Sequence, residues 1–324
     1  MIDAHGRRID YMRISLTDRC NLRCHYCTPE EIISIGHEEI LRFEEILEIC
    51  RHAVTLGITK FKVTGGEPLV RKGCISFLRN LKNIPGVEQV TITTNGVLLK
   101  ECLSELEEIG IDGINISLDT LNPQTYQSVT RRDEFHRVWD AVLAAEASNI
   151  CTKINCVLLK GVNDHEFFDL AELARDYHLN VRFIEIMPIG YGKGLEGFNK
   201  DDLLQLISEK YPDYQVEHKT LGNGPASYIT IPGFKGSIGF IDAIHGKFCD
   251  KCNRVRLTSD GILKLCLYYE NGIDLKKLLR NGASEEEVLE AMRKTIYKKP
   301  SEHQFHLIAK EGFAESKKMS QIGG

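Results

Sequence analysis

The sequence predicts an α/β fold: an open, partial TIM-type (β/α)6 barrel over residues 1–190, followed by a smaller C-terminal α+β layer over residues 191–324. Three observations predict it. From about residue 10 to residue 187, short β-branched runs alternate with helical patterns, which is the signature of βα units and a mostly parallel sheet. Within the runs, apolar and polar side chains alternate. After Pro188 the chain changes to Gly-rich loops, short strands and isolated helices.

The strands are expected at Tyr11 to Leu16, Lys60 to Thr64, Gln89 to Thr94, Gly113 to Leu118, Thr152 to Leu158 and Asn180 to Ile186. Between them, apolar spacing predicts helices such as Phe43 to Leu56, Leu98 to Glu108, Glu134 to Ser148 and His165 to Tyr177, the last with Asp164 as N-cap. The outer strand faces carry Ile14 and Leu16, Phe61 and Val63, Val90 and Ile92, Ile114 and Ile116, and Ile154 and Cys156, as packing on helices requires. The opposite faces carry Arg13 and Ser15, Lys62 and Thr64, Thr91 and Thr93, Asn115 and Ser117, and Lys153 and Asn155. Polar and basic groups pointing inward describe a wet, ligand-holding lumen, unlike one filled by Val and Leu layers. The sixth strand is mixed, with Arg182 on the face of Ile184 and Ile186. Beyond Pro188 the sequence predicts a helix near Asp201 to Lys210, a strand at Ser227 to Ile231 and a hairpin turning at Asp260-Gly261. A capping box at Ser284 to Glu287 opens a last amphipathic helix to about Tyr297.

The composition is that of an ordinary globular protein, with 42% hydrophobic and 27% charged residues. No apolar run approaches ~18 residues and no secretory signal is found, so the expected compartment is the cytoplasm, with no membrane partner. A net charge of -5 disfavours a nucleic-acid-coating protein, so an anionic ligand must be held by a local basic cluster. Eleven cysteines are many for a reducing compartment and point to metal or redox chemistry. Cys20, Cys24 and Cys27 form C-x3-C-x2-C, a pattern expected only ~0.01 times by chance in this composition, against ~0.4 for C-x2-C alone. Cys249, Cys252 and Cys266 form C-x2-C-x13-C, and the Asp-Gly hairpin brings Cys266 back beside the pair. Three thiolates can grip an iron–sulfur cluster and leave one iron open. A zinc ion would want a fourth ligand, for which His25 is the local candidate. Cys50, Cys74, Cys102, Cys151 and Cys156 lie in apolar periodic segments and are expected to be small core hydrophobes.

The first triad lies in Cys20-Asn-Leu-Arg-Cys24-His-Tyr-Cys27 and resembles the radical S-adenosylmethionine (SAM) enzymes. Thr64-Gly65-Gly66-Glu67-Pro68, after the second strand, matches that superfamily's SAM-binding turn. Two triads, Lys153-Ile-Asn-Cys-Val-Leu-Leu-Lys-Gly, Arg182-Phe-Ile-Glu-Ile-Met187-Pro and the Gly323-Gly324 end are together similar to the GTP 3′,8-cyclase branch. Thr28 stands where that branch usually has Met.

The resemblance implies two 4Fe–4S clusters, held by Cys20, Cys24 and Cys27 and by Cys249, Cys252 and Cys266, with SAM chelated at the open iron of the first. It implies cyclisation of GTP to (8S)-3′,8-cyclo-7,8-dihydroguanosine 5′-triphosphate, the first step of molybdenum cofactor biosynthesis. Carried position by position, it implies SAM contacts at Tyr26, Gly66, Ser117, Arg182 and Met187, and GTP contacts at Arg13, Lys62, Thr93, Lys153, Arg254, Val255 and Arg256. It also implies that Gly323 and Gly324 enter the active site and orient Arg13, Arg254 and Arg256 for catalysis. A low-potential electron donor and hand-over of the product to a downstream cyclic pyranopterin monophosphate synthase follow from the same resemblance, and a homodimer is compatible with it. The competing readings are a radical SAM peptide-maturing enzyme, which usually has further C-terminal cysteines, and a zinc-containing nucleic-acid module, which the acidic balance disfavours. Gly192 to Gly197 satisfies G-x-G-x-x-G without the βα context of a dinucleotide site.

Overall fold

All six anticipated strands form, because each is a β-branched run whose apolar face has helices to pack on. The computed structural model describes residues 1–28, 30, 35–218, 221–246, 248–305 and 318–323. The strands are β1 (Tyr11–Ser15), β2 (Lys60–Thr64), β3 (Gln89–Thr94), β4 (Gly113–Ser117), β5 (Thr152–Cys156) and β6 (Asn180–Ile184), paired in parallel in that order. Helices α1 (Phe43–Thr55), α2 (Cys74–Lys82), α3 (Leu99–Ile109), α4 (Pro123–Thr130), α5 (Phe135–Glu146) and α6 (Phe167–Asp176) connect them. The ten outward residues expected to pack on helices, from Ile14 to Cys156, are all buried in one continuous apolar core.

The chain continues through α7 (Lys200–Lys210), β7 (Gln215–Glu217), β8 (Ser227–Thr230), β9 (Ile238–Ile241), β10 (Arg254–Leu257), β11 (Ile262–Lys264) and β12 (Gly272–Asp274). It ends with α8 (Leu275–Arg280), α9 (Glu285–Tyr297) and α10 (Met319–Ile322). These later strands complete the same sheet: β9 pairs parallel to β6, and β10 pairs parallel to β1. The strand order is β12-β11-β10-β1-β2-β3-β4-β5-β6-β9-β8-β7, open at both ends, so eight parallel strands line a concave face between two antiparallel edges. The composition changes near residue 190, yet the sheet runs across that point from both sides.

Local details separate the expectations that hold from those that fail. Gly261, at φ +92°, turns the β10–β11 hairpin, and Ser284 caps α9 with the reciprocal Glu287 contact. Asp164 is not the cap of α6. It opens a short 3-10 turn (Asp164–Glu166), and α6 starts only at Phe167, because the Glu166 carboxylate is drawn to the Thr120 hydroxyl and the Leu121 N–H. Cys50, Cys74 and Cys156 are buried as expected, but Cys151 is exposed just before β5, and Cys102 is half-buried with its thiol on the Leu98 and Leu99 carbonyls. Gly192 ends a 3-10 turn and Gly197 forms a lone bridge to Leu159. Arg280 of α8 reaches Glu45 of α1 at 2.8 Å and the carbonyls of Glu38 and Ile40, pinning the late helices to the barrel. Burial alone would raise the Glu45 carboxyl, but Arg280 and Arg42 hold it down at about 2. Among the described residues, no helix is long and apolar enough to cross a membrane.

Candidate active site

The loop after β1 carries the first cysteine triad at the C-terminal end of the parallel strands, where the ligand sites of such sheets gather. Cys27 N–H and Thr28 N–H both bond the Cys24 carbonyl, while Arg23 and His25 N–H bond the carbonyls of Thr130 and Val129, which fixes the loop to the end of α4. The Gly65-Gly66 turn after β2 lies directly against it. A Cβ on Gly66 would sit 2.4 Å from the Arg19 carbonyl oxygen, and one on Gly65 2.7 Å from that of Thr17. Only glycine lets the two loops touch. The next residue, Glu67, is buried and accepts from Leu69 N–H, the Thr94 hydroxyl and Asn95 N–H; burial lifts its carboxyl to about 7. Asn95 in turn donates its side-chain amide to Cys20 Sγ at 3.6 Å and to Asn21. Tyr26 donates its hydroxyl to Asp119 at 2.6 Å, and burial raises the Asp119 carboxyl to about 6.

Below this loop the lumen is lined by cations. Strand register puts Arg13 level with Lys62 on one side and Arg256 on the other, with Lys264 next beyond Arg256. Thr93, Asn115 and Lys153 form a second row, and Asn155, Arg182 and Gly239 a third. The mixed sixth strand is thereby settled, since Arg182 points inward and donates to Asn115 Oδ1. Burial, and then the like charges of Arg182, Arg13, Lys153 and Arg254, depress Lys62 well below its ordinary value. Arg256 is depressed by burial, Arg13 and Arg254, Arg13 by burial with Arg254 and Arg182 against it, and Lys153 by burial and Arg182. Such mutual repulsion is relieved by a polyanion. Lys153 Nζ meanwhile donates to the Leu221 carbonyl. Val255 does not share this face. Its side chain is buried in the apolar core between Arg254 and Arg256, so only its backbone is available to a ligand.

The second triad closes the other side. Arg254 guanidinium lies 4.8 Å over the Phe248 ring and bonds Cys252. Burial alone would raise the Cys252 thiol, but Arg254 and Lys299 bring it down to about 7. Arg7, buried and paired to Asp3 at 2.7 Å, spends its remaining donors on the carbonyls of Cys249, Lys299, Pro300 and Ser301. The tail reaches into the same space. Ile322 of α10 packs with Ile189, Tyr268 and Phe305 beside Met187 and Cys266. Gly323, at φ +72°, offers its carbonyl to Arg256 at 2.6 Å, and a Cβ there would sit 2.6 Å from Thr64 Oγ1. Gly324 lies outside the described residues.

The donor set fits clusters better than single ions. A tetrahedral zinc with bonds of ~2.3 Å holds its thiolates about 4 Å apart. Among the described residues, the group of three ligands whose atoms all lie within 4.8 Å of one another is Glu185, Asp242 and His245, and neither cysteine triad closes that tightly. Wider spacing suits thiolates that bind separate irons. Within that group the Glu185 carboxylate accepts from Ile244 and His245 N–H and meets His245 Nδ1. His25 stays outside any such group and packs edge-on to Tyr26.

Sequence reading missed Asn95, Asp119, Arg7, Lys264 and Lys299. Asn95 and Asp119 follow the ends of β3 and β4, a position that marks ligand-facing residues. Lys264 faces Arg256 across the hairpin, a pairing the Asp-Gly turn could have indicated. Arg7 and Lys299 carry no local pattern.

Residues 14–174 match the Radical SAM superfamily, and residues 179–305 match Molybdenum Cofactor Synthesis C. The chain is 43% identical to a GTP 3′,8-cyclase of Clostridium perfringens (strain 13 / Type A), over the whole of both chains. It is equally 43% identical, over the whole of both, to a GTP 3′,8-cyclase of Moorella thermoacetica. Among solved structures, Streptococcus suis SuiB bound to S-adenosylmethionine shares the fold with a TM-score of 0.66 at 14% identity, covering 94% of this chain and 75% of that one.

Proposed function

Because the chain belongs to the GTP 3′,8-cyclase family of radical SAM enzymes, we propose that its two triads divide one reaction between them, and that the basic lumen holds the substrate between the two. The reaction is SAM-dependent cyclisation of GTP to 3′,8-cyclo-7,8-dihydroguanosine 5′-triphosphate in molybdenum cofactor synthesis. The observation that carries the substrate assignment is the ring of cations, with Lys153, Arg182 and Arg256 buried and Arg13, Lys62 and Arg254 half-buried, whose like charges oppose one another until a polyanion enters.

Cys20, Cys24 and Cys27 hold the first 4Fe–4S cluster, and Cys249, Cys252 and Cys266 the second. When bound, the first cluster with SAM supplies a hydrogen-abstracting 5′-deoxyadenosyl radical. Tyr26, fixed by Asp119, orients SAM together with Gly66, Ser117, Arg182 and Met187. Arg13, Lys62 and Lys153 bind the triphosphate, with Thr93, Arg254 and the Val255 backbone completing the GTP site. Arg182 lies among the cations that surround Lys62, so it also serves the anion. Gly323 positions Arg256 and excludes water from the lumen's upper end. A low-potential donor supplies electrons, the product passes to the next synthase of the pathway in the cytoplasm, and a homodimer is compatible with this arrangement.

The test is anaerobic turnover of the reconstituted protein with GTP, SAM and a strong reductant. The expected products are 5′-deoxyadenosine and a nucleotide isomeric with GTP. SAM cleavage that leaves GTP unchanged contradicts the substrate assignment.

A further inference from the structure

Lys299 follows the last turn of α9 and is 2% exposed, among the most deeply buried cations in the molecule. Its Nζ donates to the carbonyl of Leu265, the residue before Cys266. Its own carbonyl is held by Arg7, which also holds the carbonyl of Cys249. Lys299 is thereby fixed in the wall of the second triad, and its charge acts on Cys252 and Cys249. Among the described residues no carboxylate pairs with it. Burying an ammonium without a counter-charge costs several kcal/mol, so such a group persists only where an anion compensates it. Three thiolates on a 4Fe–4S core are net negative in both of its ordinary oxidation states, and more so after one-electron reduction.

We infer that Lys299 is the buried counter-charge of the second cluster, a positioning residue that holds its thiolates together and favours its reduced state. The inference rests on the reading of Cys249, Cys252 and Cys266 as cluster ligands. It assigns Lys299 no contact with GTP or SAM. Among the described residues, the ionisable groups that act most on Cys20 and Cys24 are instead Glu67, Asp119 and the neighbouring thiols, Cys27 included.

The experiment uses the full chain carrying Cys24→Ala, so that the second cluster is the only one observed. Lys299→Met removes the charge at similar volume, and Lys299→Arg keeps it. Iron, sulfide and zinc are counted, and the reduced signal is followed by electron paramagnetic resonance during titration with titanium(III) citrate. Lys299→Met is expected to lower the reduced-to-oxidised ratio at a fixed potential by about tenfold or more, while Lys299→Arg stays near the parent. Loss of iron and sulfide in Lys299→Met with retention in Lys299→Arg supports the same conclusion. Unchanged titration in Lys299→Met, or equal cluster loss in both variants, overturns it by assigning the position to shape. A parent chain that takes up zinc without sulfide overturns the cluster reading and this inference together, and the metal count alone identifies that case.

Discussion

The two cysteine triads offer the same ligand chemistry on opposite electrostatic ground. Around the first, burial and the acidic neighbours Glu67 and Asp119 hold the thiols high, with Cys20 near 12. The polar contacts it receives are neutral: Leu22 N–H and the Asn95 amide on Cys20, and the Thr28 hydroxyl on Cys27. Around the second, Arg254 and Lys299 bring Cys252 to about 7. Anionic surroundings make a cluster shed its electron more readily, which suits cleavage of SAM, whereas cationic surroundings stabilise charge and attract a triphosphate. The fold produces this difference by placing the triads at separate positions along one sheet: the first follows β1, whereas Cys249 and Cys252 precede β10, whose Arg254 and Arg256 face the lumen, and Cys266 follows β11.

The comparison breaks most sharply at the first triad. Cys24→Ala should abolish 5′-deoxyadenosine formation while leaving about four of the ~8 irons in place, as read by anaerobic iron and sulfide analysis. A reconstituted variant that still cleaves SAM would remove the division of labour. Next in size is loss of the tail. Without Gly323 and Gly324, Arg256 loses the carbonyl that fixes it. Both clusters and SAM cleavage should survive, but the cyclised nucleotide should not form, and full coupling in the truncated chain would reduce the contact to packing.

A smaller effect sharpens the contrast in the lumen. Lys62→Ala or Lys153→Ala should weaken equilibrium binding of GTP by roughly tenfold to a hundredfold, the ~1.5 to 3 kcal/mol of a charge-assisted contact, with little change for SAM. Unchanged GTP affinity in both would return these lysines to a structural role. The least effect is expected where the two regions are joined. Arg280→Ala should lower the melting temperature by a few degrees at neutral pH. The Glu45 carboxyl is held at about 2, below its ordinary value of 4.5, so the ion pair's contribution is complete above pH 4.5 and disappears as pH falls through 2. The gap between parent and variant, compared on the same cluster-free chain, should narrow over that window. A gap that does not change with pH would assign the loss to packing.

The barrel was legible because period-two alternation declares both strand and face, and Ile14 to Cys156 packed as their spacing required. The first triad was legible because three cysteines in eight residues are improbable by chance, and the second because an Asp-Gly hairpin returns Cys266 to the Cys249 and Cys252 pair. Less visible was the way β9 and β10 join β6 and β1 in parallel, since each is only four residues long and no regular βα spacing announces it. Cys151 reads as a core residue from its neighbours, yet it stands in the turn before β5, outside the strand's apolar face. Asp119, Asn95, Arg7 and Lys299 are single polar residues whose meaning comes only from tertiary contact. Val255 shows a further limit: the family resemblance names the position, yet its side chain faces the core, which the sequence alone does not reveal.

The most direct test of the two-triad account is the ratio of 5′-deoxyadenosine to cyclised nucleotide in anaerobically reconstituted Cys252→Ala, supplied with GTP, SAM and a strong reductant. The account predicts continued, uncoupled formation of 5′-deoxyadenosine with no cyclised nucleotide and about half the iron of the parent. Cyclisation of GTP at the parent's rate would contradict it.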